Sequence, residues 1–340
     1  MASSNLQTRP IGALYTGGTF GMIPSERGYV PSLDLPGRAE AALADRTHPP
    51  IHWLDPETGP PITSSDITPA FWHQLATVIR RHAGDYAGFV VIHGTDTLAF
   101  TGSALSFLLA DLDRPVVVTG ARAPLGEPNS DATDNFLAGL HAAASEHNDE
   151  VGLVFGGQLL RANRASKRFG APRAPFTSPH AAPLATFDET LLWHDEPPAP
   201  KVALPAVHRR DARVAMLPVY PGIMGATLRA VRDSGADALL LEAYPASVGP
   251  GADADFVQAI REITANGTVV AAVSQNQYGS VHLGRYASST PLAEAGLIGG
   301  ADMTREAALT KLHYLLCAEV AYDRITELFS SNLRGELTPT

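Results

Sequence analysis

The sequence predicts an α/β protein of two doubly wound domains with mainly parallel sheets. Three observations carry this expectation. Short, continuous apolar runs alternate with alanine- and leucine-rich stretches in both halves of the chain. Runs of that kind suit strands buried on both faces of a parallel sheet. Four prolines between Glu196 and Pro205 separate the two halves. Finally, 340 residues with 45% apolar and 18% charged side chains suffice for two hydrophobic cores.

The predicted strands of the first half are residues 11–15 (IGALY), 88–92 (GFVVI), 115–120 (PVVVTG) and 151–155 (VGLVF). Between them, Thr68-Pro69 predicts a helix start, with a hydroxyl N-cap and proline at the first helical position. Phe71, Leu75, Val78, Ile79 and His82 then share one face. Residues 97–110 and 132–146 are the next predicted helices. The thirty or so residues after Thr19 hold Gly28, Pro31 and Pro36 with little periodicity, and are predicted to form a long loop serving as a lid. In the second half, strands are predicted at 214–219, 238–242 and 268–273, with helices near 253–265 and 304–320. The expected domains are 1–195 and 213–340, joined by a linker over 196–212.

Composition excludes several functions. A net charge of -10 repels phosphate backbones, so no nucleic-acid partner is expected. Cys317 is the sole cysteine, which forbids an internal disulfide. The start, MASSNLQTRP, has no apolar signal core, and no run is long enough to span a bilayer, so no membrane partner and a cytoplasmic location are expected. The histidines lack metal-ligand spacing, and neither a Walker loop nor Gly-x-Gly-x-x-Gly occurs. No metal and no cofactor are expected.

Ligands of open parallel sheets bind beyond the carboxyl ends of the strands. Thr19 stands there after Gly17-Gly18, as does Thr95 after Gly94, and Ser130-Asp131 lies about ten residues past another strand end. Gly17, Gly18 and Gly94 would let the backbone approach a small substrate, with nearby N–H groups able to stabilise an oxyanion. Each feature also has a commoner use. Thr-Gly-Gly-Thr can be a plain turn, Thr95-Asp96-Thr97 a helix cap, and Lys167 a solvated surface residue.

Four segments weigh against those uses together: TGGTFG at 16–21, SSD at 64–66, HGTDT at 93–97 and the lysine at 167. In order and spacing they resemble the asparaginase/glutaminase family. The carboxyl end, GLIGGADMTREAALTKLHYLL and then NLRGELTP, resembles its cytoplasmic type I branch. The resemblance runs from about residue 10 to 339. It implies hydrolysis of L-asparagine to L-aspartate and ammonia. It also implies a first nucleophile at Thr19 with a helper hydroxyl at Tyr29, and a second cluster of Thr95, Asp96 and Lys167. An alcohol needs a base beside it. Lys167 could serve once neutral, a state favoured by burial or a nearby like charge. By the same resemblance Asp96 holds the substrate α-ammonium, Ser64 and Ser65 its α-carboxylate, and Gly18 and Gly94 line the substrate. Intimate homodimers, often paired into homotetramers, are implied too. The alternatives are a glutaminase or broader amidase of this family, or a non-catalytic amino-acid-binding protein on the same fold.

Two departures stand out. Ser274-Gln275-Asn276 has asparagine where type I relatives often carry cysteine, which points to plain saturation kinetics rather than regulation. On an ungapped reading, Val248 stands where many relatives carry a substrate-binding asparagine, which predicts weak affinity for L-asparagine.

Overall fold

The computed structural model describes residues 9–32, 34–167, 175–209 and 211–339. Most of the amino-terminal run read for a signal core, and Arg210 of the expected linker, lie outside the described residues. The chain divides into two compact units, Met1–Pro198 and Ala199–Thr340.

In the first unit the order is β1 (Ile11–Tyr15), β2 (Met22–Ser25), β3 (Gly28–Pro31), α1 (Leu35–Ala42), β4 (Ile51–Leu54), α2 (Pro69–His82), β5 (Gly88–Ile92), α3 (Leu98–Leu108), β6 (Val116–Thr119), α4 (Ala132–Ala143), β7 (Val151–Phe155) and β8 (Gln158–Arg161). The short β9 (Ser166–Lys167) and β10 (Phe176–Thr177) follow, then β11 (Ala185–Asp188) and β12 (Thr190–Trp193). The main sheet runs β12-β11-β8-β7-β6-β5-β1-β4. Neighbours from β4 through β1, β5 and β6 to β7 are parallel. Their apolar runs are buried on both faces, as at β5, where all five residues are buried. Beyond β7 the sheet turns antiparallel through β8, β11 and β12. Gly156-Gly157 forces this, because two residues at φ 58° and 77° close a hairpin and cannot carry a crossover. The outermost of these, β12, carries no continuous apolar run to read because its residues alternate between exposed and half-buried.

Around α2 the proline stands at the helix start as expected, but the Thr68 hydroxyl makes no cap hydrogen bond. The helix is held by its face instead: Phe71, Leu75, Val78 and Ile79 are buried.

The expected long loop after Thr19 is corrected. Strands β2 and β3 form an antiparallel hairpin with Ser25 opposite Gly28. Gly28 takes φ 97° after Glu26-Arg27, the left-handed residue that closes such turns. The segment then runs into α1 and β4. The hairpin left no period-two signature because both of its faces are largely exposed. Its prolines, Pro24 and Pro31, are tolerated because a two-stranded ribbon has only edge strands.

The second unit contains β13 (Val214–Pro218), α5 (Gly225–Asp233), β14 (Ala238–Ala243), α6 (Ala254–Ala265), β15 (Val269–Ser274), α7 (Thr290–Glu294), β16 (Ile298–Gly299), α8 (Arg305–Cys317) and α9 (Tyr322–Ser330). Its sheet, β13-β14-β15-β16, is parallel throughout. Asp253 caps α6, accepting from the Asp255 and Phe256 amides at 2.9 and 3.1 Å. Much of the expected linker is fastened to this unit. The Tyr314 hydroxyl donates to the Pro205 carbonyl at 2.6 Å, and the His208 amide to the Cys317 carbonyl at 2.8 Å.

Val248 does not occupy a substrate-facing position, which corrects the ungapped reading. Its side chain is 1% exposed and packs in this unit's core with Val219, Phe256 and Leu292. Reciprocal backbone hydrogen bonds with Tyr244, at 3.1 and 3.0 Å, close a tight turn and hold Val248 at φ 66°. The turn needs the left-handed backbone, and the core needs the valine. The family's asparagine therefore has no counterpart at this side chain.

Candidate active site

The site is built at the carboxyl ends of β1 and β5, which are adjacent and parallel. Leaving β1, the chain is guided by the Thr16 amide and hydroxyl, which donate to the Ile92 carbonyl at 2.9 and 3.0 Å. Gly17 then bridges to Ile62, and the Gly18 amide donates to the Ile62 carbonyl at 3.2 Å. Gly17 and Gly18 take φ 125° and 84°, a path closed to other residues. A Cβ on Gly18 would lie 2.3 Å from the Gly94 Cα, and one on Gly94 would lie 2.7 Å from the Ser64 Oγ. Three motifs distant in sequence thus meet, Gly18 and Gly94 backbone to backbone and Gly94 against the Ser64 side chain. Thr19 and Thr95 each follow directly on one of these touching glycines, so both sit at one junction. Both are half-buried.

The Lys167 Nζ donates to the Thr95 Oγ1 at 2.8 Å and to the Asp96 Oδ1 at 2.6 Å. Lys167 is therefore no free surface lysine. Its side chain is 20% exposed and its neighbour is an opposite charge. The helix-cap reading of Thr95-Asp96-Thr97 also fails. Thr97 stands at the cap of α3 without a side-chain cap bond, and its hydroxyl donates to the Ser64 carbonyl at 2.7 Å instead. That bond ties the 64–66 turn to the 93–97 loop. Ser64 is buried and Ser65 exposed.

Tyr29 lies on the exposed hairpin, 52% exposed. Its hydroxyl donates to the Glu127 Oε1 at 3.2 Å rather than reaching Thr19. Glu127 raises the phenol above its ordinary range, chiefly through charge, and the group stays a donor. Sequence reading did not single out Glu127, since one acid in a surface loop carries no signal of its own. Ser130-Asp131, noted as lying past a strand end, proves structural. The Asp131 carboxylate accepts from the Arg122 and Ala123 amides at 2.9 and 3.2 Å and so shapes the loop after β6.

His93, passed over in the sequence, braces the 93–97 loop. It is completely buried. The Trp72 indole donates to the Thr101 Oγ1 at 3.1 Å, leaving the Thr101 hydroxyl to donate to the His93 Nε2 at 3.0 Å. The ring's Nδ1–H then faces the Gly94 carbonyl at 2.7 Å. Burial pushes the imidazole from 6.5 down to about 4. The unfolded chain therefore binds more protons than the folded one between those values. Stability from this group is complete above about pH 6.5 and declines as pH falls toward 4, by about 3 kcal/mol at most. Urea unfolding of wild type and His93→Gln at about pH 7 and pH 5 checks this. The wild type is expected to lose more stability over that interval, and equal losses would contradict it.

A threonine–lysine–aspartate cluster beyond the end of β5, beside a second threonine on the glycine turn after β1, is an arrangement that suits an amidohydrolase. Family comparison agrees: residues 10–199 match the "Asparaginase, N-terminal" model and residues 213–329 the "Glutaminase/Asparaginase C-terminal domain". The chain belongs to the asparaginase/glutaminase family. It is 41% identical to "L-asparaginase 1" of Escherichia coli (strain K12) over 342 residues, covering 98% of this chain and 99% of that protein. The crystal structure of L-asparaginase I from Vibrio cholerae superposes with a TM-score of 0.85 at 32% identity, covering 97% of this chain and 99% of that one. The thermostable L-asparaginase from Thermococcus kodakarensis gives a TM-score of 0.84 at 29% identity, covering 97% and 100%.

Proposed function

We propose that this protein hydrolyses the side-chain amide of L-asparagine to L-aspartate and ammonia by threonine nucleophilic catalysis, without metal or cofactor. The observation that carries this reading is the Lys167 amine 2.8 Å from the Thr95 hydroxyl. The close likeness to L-asparaginases supports the substrate.

Asp96 receives the substrate α-ammonium, with Ser64 and Ser65 at the α-carboxylate. The incoming ammonium competes with Lys167 for the Asp96 carboxylate and adds a second cation beside it. Those are the conditions under which an amine gives up its proton. Neutral Lys167 then draws the proton from Thr95, directly or through water. A threonine Oγ attacks the amide carbon, and Gly18 and Gly94 allow the backbone to approach the developing oxyanion. Ammonia leaves, an acyl-threonine remains, and water releases aspartate. Thr19, with the Tyr29 hydroxyl as helper, supplies the first nucleophilic centre, beside the second cluster of Thr95, Asp96 and Lys167.

The protein is expected to act in the cytoplasm as a homodimer or homotetramer, with neither nucleic acid nor membrane as partner. Among the described residues no helix is long and apolar enough to cross a membrane. Light scattering checks the assembly. Ammonia release is expected on mixing with L-asparagine and is expected to persist after exhaustive chelation. Activity lost to the chelator and restored by one divalent ion would refute the metal-free reading. Faster release from L-glutamine would move the protein to the family's glutaminases.

A further inference from the structure

We infer that Glu127 is a positioning residue for the reaction: it holds the Tyr29 hydroxyl, so that engagement of Thr19 must exchange the Tyr29–Glu127 hydrogen bond for Tyr29–Thr19. This rests on the assignment of Tyr29 as helper to Thr19.

Among the described residues, the hairpin of β2 and β3 pairs with no other strand. It is fixed at its base and touched near its tip by the same loop, the one following β6. At the base, the Leu125 amide donates to the Phe20 carbonyl at 2.9 Å. The Arg38 guanidinium bridges the Gly21 and Leu125 carbonyls at 3.3 and 2.6 Å, and the Ser32 amide also reaches the Gly21 carbonyl, at 3.0 Å. Near the tip, the contact is the Tyr29 hydroxyl on Glu127. The two ends differ in kind. The base is backbone and guanidinium, half-buried, and leaves no room to move: a Cβ on Gly21 would lie 2.3 Å from the Tyr15 hydroxyl. The tip contact is a single hydrogen bond between exposed side chains. The loop that presents Glu127 is rigid. Asp131 accepts two of its amides, the Glu127 amide donates to Pro124 at 3.1 Å, and the Ser130 amide donates to Glu127 at 3.1 Å. A carboxylate carried on a backbone-held turn therefore holds a hydroxyl carried on a ribbon that is fastened only at its base. That hydroxyl can serve Thr19 only after release.

A lid that must break one contact binds more weakly by the fraction of time it spends held. Removing the carboxylate should thus favour closure. Because the turn around Glu127 is held by backbone, Glu127→Ala should leave it intact.

The test compares wild type, Glu127→Ala, Glu127→Gln, Tyr29→Phe and the Tyr29→Phe/Glu127→Ala double variant. Hydrogen exchange over residues 22–31 is read without substrate, and kcat and KM are read with L-asparagine. Glu127→Ala is expected to speed exchange and lower KM by about two- to tenfold, the span of one ordinary hydrogen bond, with kcat retained. Glu127→Gln, which keeps an acceptor, should fall between. In exchange, the double variant should match the singles. Unchanged exchange in Glu127→Ala, or a fall in kcat at constant KM, would overturn the proposal. Full turnover in Tyr29→Phe would refute the role of Tyr29 itself. Exchange that still responds to Glu127 would then show the holding contact to be real but idle in catalysis.

Discussion

Thr95→Val and Thr19→Ala are each expected to lower turnover of L-asparagine by several orders of magnitude while leaving the fold intact. Each removes a hydroxyl standing directly after one of two glycines that touch, Gly94 and Gly18. Neither change adds an atom to that contact. Groups that act as a unit give losses that do not add, so the double variant should be little worse than either single. Lys167→Met keeps the stem and removes the amine from both Thr95 and Asp96. It is expected to cost at least about 10²–10⁴-fold, the range for a positioned base. Steady-state kinetics with circular dichroism as the folding control decides the matter. A single variant keeping more than roughly a tenth of wild-type turnover would remove that residue from the chemistry.

The second large effect concerns stability and lies far from the threonines in sequence. Lys311 on α8 and Glu336 in the carboxyl-terminal tail are both completely buried, with the Nζ 2.5 Å from the Glu336 Oε1. The ammonium also donates to the Phe329 and Ser331 carbonyls at 2.9 and 2.5 Å. The carboxylate also accepts from the Leu333 and Arg334 amides at 3.0 and 2.6 Å. Burial pulls the lysine below its ordinary range, and the glutamate opposes that pull. Removing one partner leaves a buried charge without compensation, so Lys311→Met is expected to cost about 3–5 kcal/mol. Adding Glu336→Gln should restore part of the loss, because an amide oxygen still accepts from both N–H groups without carrying charge. Denaturant unfolding of the two singles and the double tests this. A double variant less stable than Lys311→Met would show that the pair is not coupled as described.

This pair also explains part of the sequence signature. Lys311 belongs to the GLIGGADMT…TKLHYLL stretch and Glu336 to NLRGELTP. A further link joins the same stretches: the Thr338 amide donates to the Asp302 Oδ1 at 2.9 Å and its hydroxyl to the Asp302 Oδ2 at 2.5 Å. The tail that resembled one branch of the family is thus a buried clasp. Its residues answer to one another rather than to substrate.

Much was legible in the linear chain. Strands such as β1, β5 and β7 are buried on both faces and so appear as unbroken apolar runs. The turn glycines are legible too, because no other residue takes their backbone path. Thr19, Thr95, Asp96 and Lys167 could be named through the motifs around them. What the sequence determined by itself is therefore the set of buried strands, the tight turns and the chemical groups available.

Tertiary structure decided the partners. That Lys167 meets Thr95 across 72 positions follows from how β9 is placed beside the 93–97 loop, and no local pattern encodes it. The exposed hairpin had no hydrophobic alternation to read, because a ribbon with two wet faces needs none. Val248 looked like a substrate position until the fold turned it into the core. Glu127 and His93 acquire their roles from contacts with residues distant in sequence. Local sequence records which surfaces must leave water and which turns the backbone can make. Which polar groups then face one another depends on the geometry of strands brought together from far apart.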